Sequence, residues 1–182
     1  MKYFAVLMLF LAAPALAQQV ADNPEMARMF EADQSVRANL PKNVTPDIIK
    51  QMIADDEARR TRTSAMLNAG ALHTGHDYER AAFIFQHGDT PADYLLAHSL
   101  AMIAMAKGNS DAKWIAAATL DRYLQAIGQQ QIYGTQYRFP KPGEVGQDPY
   151  DRTLISDALR AELGVPAQAE QEKRRASMQV KK

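Results

Sequence analysis

The sequence contains no cysteine among its 182 residues. This absence excludes disulfides, thiol catalysis, c-type haem attachment and cysteine-ligated metal sites. Basic and acidic side chains number 21 each, so the formal net charge is zero, and neither nucleic acid nor a strongly charged partner is indicated. The Gly-x-Ser-x-Gly and Ser-x-x-Lys motifs and a glycine-rich phosphate loop are also missing. No complete catalytic motif is present, and we predict no cofactor.

Long apolar runs are scarce, and one of the few lies at the start of the chain. Lys2 precedes an apolar run over 4–13, and Pro14 and a small-residue triplet ending at Ala17 follow it. This order is typical of a secretory signal peptide over 1–17. Because a membrane-spanning helix needs roughly 20 apolar residues, we predict no transmembrane segment in the mature chain. We therefore expect a periplasmic or secreted protein.

Helix signals fill most of the remaining chain. A cap residue followed by proline predicts helix starts at Asn23-Pro24, Thr45-Pro46 and Thr90-Pro91. Residues 94–106 are apolar on nearly every side, which predicts a central helix surrounded by others. The apolar spacing over 111–127 predicts a helix with one inward face, formed by Ala116, Ala117, Leu120, Leu124 and Ile127. A last helix over 153–163 is predicted with Leu154, Ile155, Leu159 and Leu163 facing inward.

Strand signals are almost absent, so the predicted fold is all-α. We expect a single-domain bundle of about six helices over 18–166. Enough surface can be buried at this length, on the order of 70% of that of the unfolded chain. A polar, flexible tail is expected over 167–182. Residues 78–127 also resemble stacked helical hairpins of a short helical-repeat unit, although no second copy recurs at a fixed period.

The most distinctive segment spans 121–136. A helix ends at Gly128, and Gln131, Tyr133 and Gln136 then crowd into a turn that local structure alone does not require. Amide and phenol groups suit the recognition of a sugar or a peptide. The same groups could instead attach the loop to the bundle through hydrogen bonds. Both interpretations stay open.

Three residues are candidates for proton transfer. His98 lies in the apolar helix, where a buried imidazole needs a hydrogen-bond partner, so it is either a core histidine or a general base. His87 ends a short buried helix, where the helix dipole also explains a histidine. Asp121 is expected at the border between core and solvent. It could orient a histidine or form a salt bridge that joins neighbouring helices.

His73, His76 and Asp77 form a weak metal-ligand pattern. Two histidines and a carboxylate could bind zinc, but structural and catalytic zinc sites follow more complete motifs such as His-Glu-x-x-His. The simpler explanation is that both histidines are exposed loop residues, and we predict no metal site.

Several of these residues occur in an order that resembles a family of uncharacterised bacterial proteins, classed only as a domain of unknown function. The matching order is His87-Gly88-Asp89, His98, Ala101, Gly108, Asp121-Arg122, Gly128, Gln131 and Tyr133-Gly134-Thr135-Gln136. The similarity covers about 77–163. It implies a helical domain, often exported or encoded with envelope proteins, without an established activity. It also implies that seven residues belong to one constellation: Gln86, His87, Asp121, Arg122, Gln131, Tyr133 and Gln136.

The functional expectation is a periplasmic binding or interaction module. The turn at Tyr133 and the Asp121-Arg122 step would line a polar groove, with Gln86, Gln131 and Gln136 as further ligand-binding residues. The partner would be an envelope protein, a peptide or a glycan. The alternative is a hydrolase or lyase acting on an envelope glycan or peptide, with His87 or His98 as general base and Asp121 orienting it. A weaker third possibility is an inhibitor of a secreted enzyme.

Overall fold

The computed structural model describes residues 20–179, so the predicted signal peptide lies outside the described residues. Within this range the chain forms an all-α fold without strands, as predicted. It comprises seven α-helices and a 3-10 turn: α1 (Pro24–Ala38), α2 (Pro46–Asn68), α3 (Gly75–Phe85), α4 (Pro91–Ala106), the 3-10 turn (Ser110–Ala112), α5 (Lys113–Ala126), α6 (Asp157–Glu162) and α7 (Gln168–Met178). Over 20–179, no helix combines the length and apolar character needed to cross a membrane.

The helix starts follow the predicted caps. The Asn23 carboxamide oxygen accepts hydrogen bonds from the backbone N–H groups of Glu25 and Met26 at 2.9 and 3.1 Å. At α4, Thr90 and Asp93 cap each other reciprocally, which satisfies backbone donors that the first helical turn leaves free. These predictions are confirmed because a cap depends on residues that are neighbours in sequence.

The core lies where α4 packs between α3 and α5. Its closest contacts involve small side chains, since Ala81, Ala97, Ala101 and Ala104 are all fully buried. The prediction that α4 is surrounded on every side is wrong. Its opposite face is open to solvent and exposes Leu95, Leu96, Met102 and Ile103.

Two predicted inward faces also differ from the structure. On α5 the predicted inward residues Ala116 and Ala117 are buried, but Asp121 is buried as well and Ile127 is 43% exposed. The last predicted helix is shorter, and it buries Arg160 while Leu159 is 54% exposed. Asp121 and Arg160 are buried through polar contacts with the 131–136 loop, which apolar spacing does not report.

The expected flexible tail is instead helix α7. Its Gln171 is buried, and the Gln171 amide nitrogen donates to the carbonyl oxygens of Tyr133 and Pro166, each at 2.8 Å. Between α5 and α6 the chain is irregular, with isolated bridges joining Gln131 to Tyr150 and Arg138 to Gly146. Helix α7 therefore packs against the turn that the sequence marks as distinctive.

Candidate functional site

Asp121 is fully buried, not at the border of the core as predicted. One carboxylate oxygen accepts from the backbone N–H groups of Ile132 and Tyr133 at 2.8 and 3.0 Å. The other accepts from the backbone N–H and the hydroxyl of Thr135 at 2.9 and 2.7 Å. Hydrogen bonds to a carboxylate are stronger than neutral ones. Asp121 therefore holds the 131–136 loop on helix α5.

Gln131 closes the same loop from inside and is also fully buried. Its amide oxygen accepts from the backbone N–H of Gln136 at 3.0 Å, and its amide nitrogen donates to the carbonyl oxygens of Gln136 and Gln147. These bonds use the amide in the interior and leave no part of it for an external ligand. The contacts of Asp121 and Gln131 therefore agree with the second interpretation of the turn, in which hydrogen bonds attach the loop to the bundle.

The carbonyl oxygen of Tyr133 joins the loop to the C-terminal helices. It accepts from the Tyr150 hydroxyl at 3.2 Å, from Arg160 Nε at 3.3 Å and from the Gln171 amide at 2.8 Å. Burial, and secondarily the charge of Asp121, raises the pKa of the Tyr133 phenol. The 131–136 loop is thus fixed from two sides, by α5 and by the segment 147–171.

A surface cleft lies beside this fixed loop. Its volume is about 310 Å³, and its walls come from α4, α5 and the segment after the loop. We call it the Arg122 cleft; its lining residues are Tyr94, Arg122, Gln125, Ala126, Gln136, Tyr137 and Arg138. Two of the residues predicted to bind a ligand, Arg122 and Gln136, therefore meet in one place.

Gln136 occupies a defined position in the Arg122 cleft. Its amide nitrogen donates to the Ala118 carbonyl oxygen at 3.2 Å and to the Thr135 hydroxyl at 2.9 Å. Because Asp121 also binds the Thr135 hydroxyl, the buried carboxylate and the cleft wall belong to one hydrogen-bonded chain. These bonds fix the Gln136 side chain in the wall of the cleft.

Of the five buried side-chain nitrogen atoms without a hydrogen-bond partner in the described range, two belong to residues that line the Arg122 cleft. Arg122 Nε and the Gln125 amide nitrogen are both buried, and neither has a hydrogen-bond partner within the described residues. Burial lowers the pKa of the Arg122 guanidinium, and Arg37 adds to this effect while Tyr94 opposes it. Unpaired buried donors are rare in folded proteins, so each of these two needs an explanation.

The candidate general bases lie apart from Asp121. His98 Nδ1 is 2.9 Å from the carbonyl oxygen of Ala116, so the structure gives it the backbone partner that a core histidine needs. His87 Nε2 lies 3.4 Å from a carboxylate oxygen of Asp33 on α1. Both oxygens of Asp121 are occupied by loop donors. This geometry gives no support to Asp121 as the group that orients a histidine.

His87 belongs instead to a charged cluster between α1, α2 and the end of α3. Buried Asp33 pairs with Arg37 at 2.6 Å, and Arg37 also pairs with Asp56 at 2.8 Å. Arg59 contacts the same two carboxylates at 3.5 and 2.7 Å. The cluster joins α1 to α2, a helix pair with little apolar surface between them.

This cluster predicts a specific acid sensitivity. Burial raises the pKa of Asp56, but the hydrogen bonds from Arg37 and Arg59 outweigh that effect and bring it below its ordinary value of 3.8. A lowered folded-state pKa stabilises the fold fully above the unfolded-state value, and this stabilisation is lost as the pH falls through the folded-state pKa. Asp56→Asn should therefore be less stable than the wild type near neutral pH and should lose less stability below about pH 4.

Urea unfolding at several pH values measures this difference. Asp55→Asn is the matched control, because Asp55 is the adjacent residue of α2 and accepts only an exposed hydrogen bond from Gln51. Parallel pH profiles for the wild type and Asp56→Asn would contradict the assignment.

The weak metal-ligand pattern is dispersed. Asp77 is buried and accepts from the backbone N–H groups of Asn23, His73 and Thr74 as part of the α3 cap. His76 is exposed and lies 3.2 Å from the Asn109 amide. Over residues 20–179 there is no group of three or more His, Asp or Glu side chains that could hold a metal ion.

The predicted constellation is thus divided among three places. Asp121, Gln131 and Tyr133 fix the loop, Arg122 and Gln136 line the cleft, and His87 joins the charged cluster. Gln86 is buried at the end of α3. Sequence reasoning missed several residues that complete these sites: Tyr94, Gln125, Tyr137 and Arg138 in the cleft, Gln147, Tyr150, Arg160 and Gln171 in the loop network, and Asp33, Arg37, Asp56 and Arg59 in the cluster. The adjacency of Gln136, Tyr137 and Arg138 is the one signal that could have found part of the cleft.

Comparison with known proteins gives no match to a protein-family model, to a curated protein or to a solved structure. The resemblance to an uncharacterised bacterial family therefore stays a prediction.

Proposed function

We propose that this protein is an exported, periplasmic binding module that holds its partner in the Arg122 cleft. The partner would be an envelope protein, a peptide or a glycan. The export proposal rests on residues 1–17, whose basic start, apolar run and small-residue end have the order of a secretory signal.

The observation that carries the binding proposal is the pair of buried donors in the Arg122 cleft. A buried N–H without an acceptor costs roughly 1–3 kcal/mol. Arg122 Nε and the Gln125 amide nitrogen have no protein acceptor within the described residues. A partner that supplies acceptors in the cleft would gain this free energy.

The position of the catalytic candidates favours binding over hydrolysis. The Asp121 carboxylate is occupied by donors of the 131–136 loop, and His98 is bonded to a backbone carbonyl. The cleft itself is lined by arginine, glutamine and tyrosine side chains. These groups donate and accept hydrogen bonds, and they hold a ligand without transferring a proton near neutral pH.

Filling the Arg122 cleft tests the proposal. Ala126, the last residue of α5, is exposed and lines the cleft, so Ala126→Phe should place an aromatic ring in it with little effect on the core. We expect this variant to lose the molecules that the mature wild-type protein retains from a periplasmic extract. Native mass spectrometry of the purified complexes measures the retention.

Ala106→Phe is the matched control, because Ala106 is the exposed last residue of α4 and does not line the cleft. It should retain the same molecules as the wild type. Equal retention by both variants would refute the proposed use of the cleft, as would equal loss from both.

A further inference from the structure

We infer that the Arg122 cleft recognises an oxyanion, a carboxylate or a phosphate group, on its ligand. This inference rests on the proposed function and narrows the ligand to one chemical class.

The charge pattern around the cleft is the first support. Seven arginines of the described range form ion pairs with carboxylates. Arg122 and Arg138 have no such partner within 20–179; the same holds for Arg28, Arg60 and Arg174, but these three do not line the cleft. Two guanidinium groups without a carboxylate partner therefore lie together at one place on the surface.

The absence of a competing carboxylate is the second support. Among the described lining residues none is Asp or Glu, and the remaining polar ones are amides and phenols. Arg37 lies close enough to lower the pKa of Arg122, and its own charge is offset by Asp33 and Asp56. The nearby carboxylates of Asp33 and Asp56 are thus paired with Arg37, and the cleft lining offers no other carboxylate to Arg122.

The chemistry of the donors is the third support. A guanidinium presents a planar fork of N–H groups that matches two oxygens of a carboxylate or a phosphate. The Gln125 amide nitrogen lies in the same walls and can add a neutral donor. An anion in the cleft would receive charge-assisted hydrogen bonds and at the same time compensate the half-buried cation.

Titration with acetate and with inorganic phosphate tests the inference. Each probe is added to the mature protein at constant ionic strength, with chloride as the reference anion. Binding to the native state alone raises Tm, by about 5–10 °C when the probe is a hundred-fold above its Kd. In the same titration, the Nε–Hε resonance of Arg122 in a two-dimensional NMR spectrum should shift and saturate.

The variants Arg122→Gln and Arg138→Gln should abolish or strongly reduce the rise in Tm. Arg28→Gln is the control: Arg28 is exposed on α1 and outside the cleft, so its loss changes the net charge by the same amount. Arg122→Gln should also keep or raise Tm in chloride, because removing an unpaired, partly buried charge relieves its desolvation. If Arg122→Gln did not fold, the response of Arg138→Gln and the Arg122 resonance would still show whether the cleft binds the anion.

A response to acetate alone identifies a carboxylate ligand, and a response to phosphate alone identifies a phosphate ester. The inference is overturned if neither probe exceeds chloride, or if Arg122→Gln and Arg28→Gln respond like the wild type. Failure here together with loss of extract-derived molecules from Ala126→Phe would leave the cleft as a binding site for an uncharged ligand.

Discussion

Asp121→Ala is expected to lower the free energy of unfolding by about 4 kcal/mol, since each buried donor left without an acceptor costs roughly 1–3 kcal/mol. The substitution leaves three backbone N–H groups and the Thr135 hydroxyl without their acceptor inside the protein. Water cannot replace the carboxylate easily, because the site is fully buried. Chemical denaturation of the purified variant measures the loss.

Asp151→Ala is the matched control for this prediction. Asp151 also accepts several loop hydrogen bonds with one carboxylate, from the backbone of Thr153 and Leu154 and from the Thr153 hydroxyl. These donors are exposed, and water can take the place of the carboxylate. We therefore expect only a small change in stability, and similar losses for the two variants would show that burial does not decide the cost.

Gly134→Ala is expected to destabilise the protein by about 3 kcal/mol or more, combining backbone strain with overpacking. Gly134 has φ of +82°, in the region that favours glycine. A Cβ atom there would lie 2.6 Å from the Tyr150 hydroxyl and would also overlap the Gln171 amide oxygen. Both side chains bind the carbonyl oxygen of Tyr133, so the substitution should separate α7 from the loop.

Gly128→Ala separates the two causes. Gly128 has a similar φ of +75°, but its added Cβ would meet no atom within 4 Å. This variant should lose only the strain contribution, about 1 kcal/mol. Thermal unfolding and limited proteolysis near residue 168 compare the two variants. If Gly128→Ala lost as much stability as Gly134→Ala, the close packing of α7 against the loop would not contribute to stability.

These two expectations bear on function because the 131–136 loop supports the Arg122 cleft. Gln136 ends the loop and lines the cleft, and its backbone N–H is held by Gln131. A loosened loop would move one wall of the cleft relative to Arg122 on α5. Stability measurements on the loop therefore also report how firmly the proposed recognition surface is positioned.

Local features were predictable from the sequence to the extent that they depend on neighbours in the chain. Asn23, Thr45 and Thr90 cap their helices as expected, because each cap closes within three residues. The importance of the turn at Gln131 was also visible, since so many amides beside a glycine have no local explanation. Its structural role was one of two open interpretations.

Helix faces were predicted less well, and the reason is the composition of the core. Alanine contributes little to an apolar pattern, yet Ala97, Ala101 and Ala104 form the buried side of α4. The larger residues Leu95 and Met102 dominate the pattern and lie on the exposed side. Spacing therefore identified the helix but not the side that packs.

By itself the sequence determined the all-α class, the starts of α1, α2 and α4 and the residues that are chemically unusual. Only the tertiary structure decided that Asp121 binds the 131–136 loop, that α7 packs on it, and that Arg122 and Arg138 share a cleft. The physical reason is the separation of the interacting residues along the chain. Caps and periodicity involve residues a few positions apart, whereas the burial of a carboxylate or the pairing of a guanidinium depends on segments that lie far apart in the sequence. Which polar groups are satisfied within the fold is settled only when those segments meet.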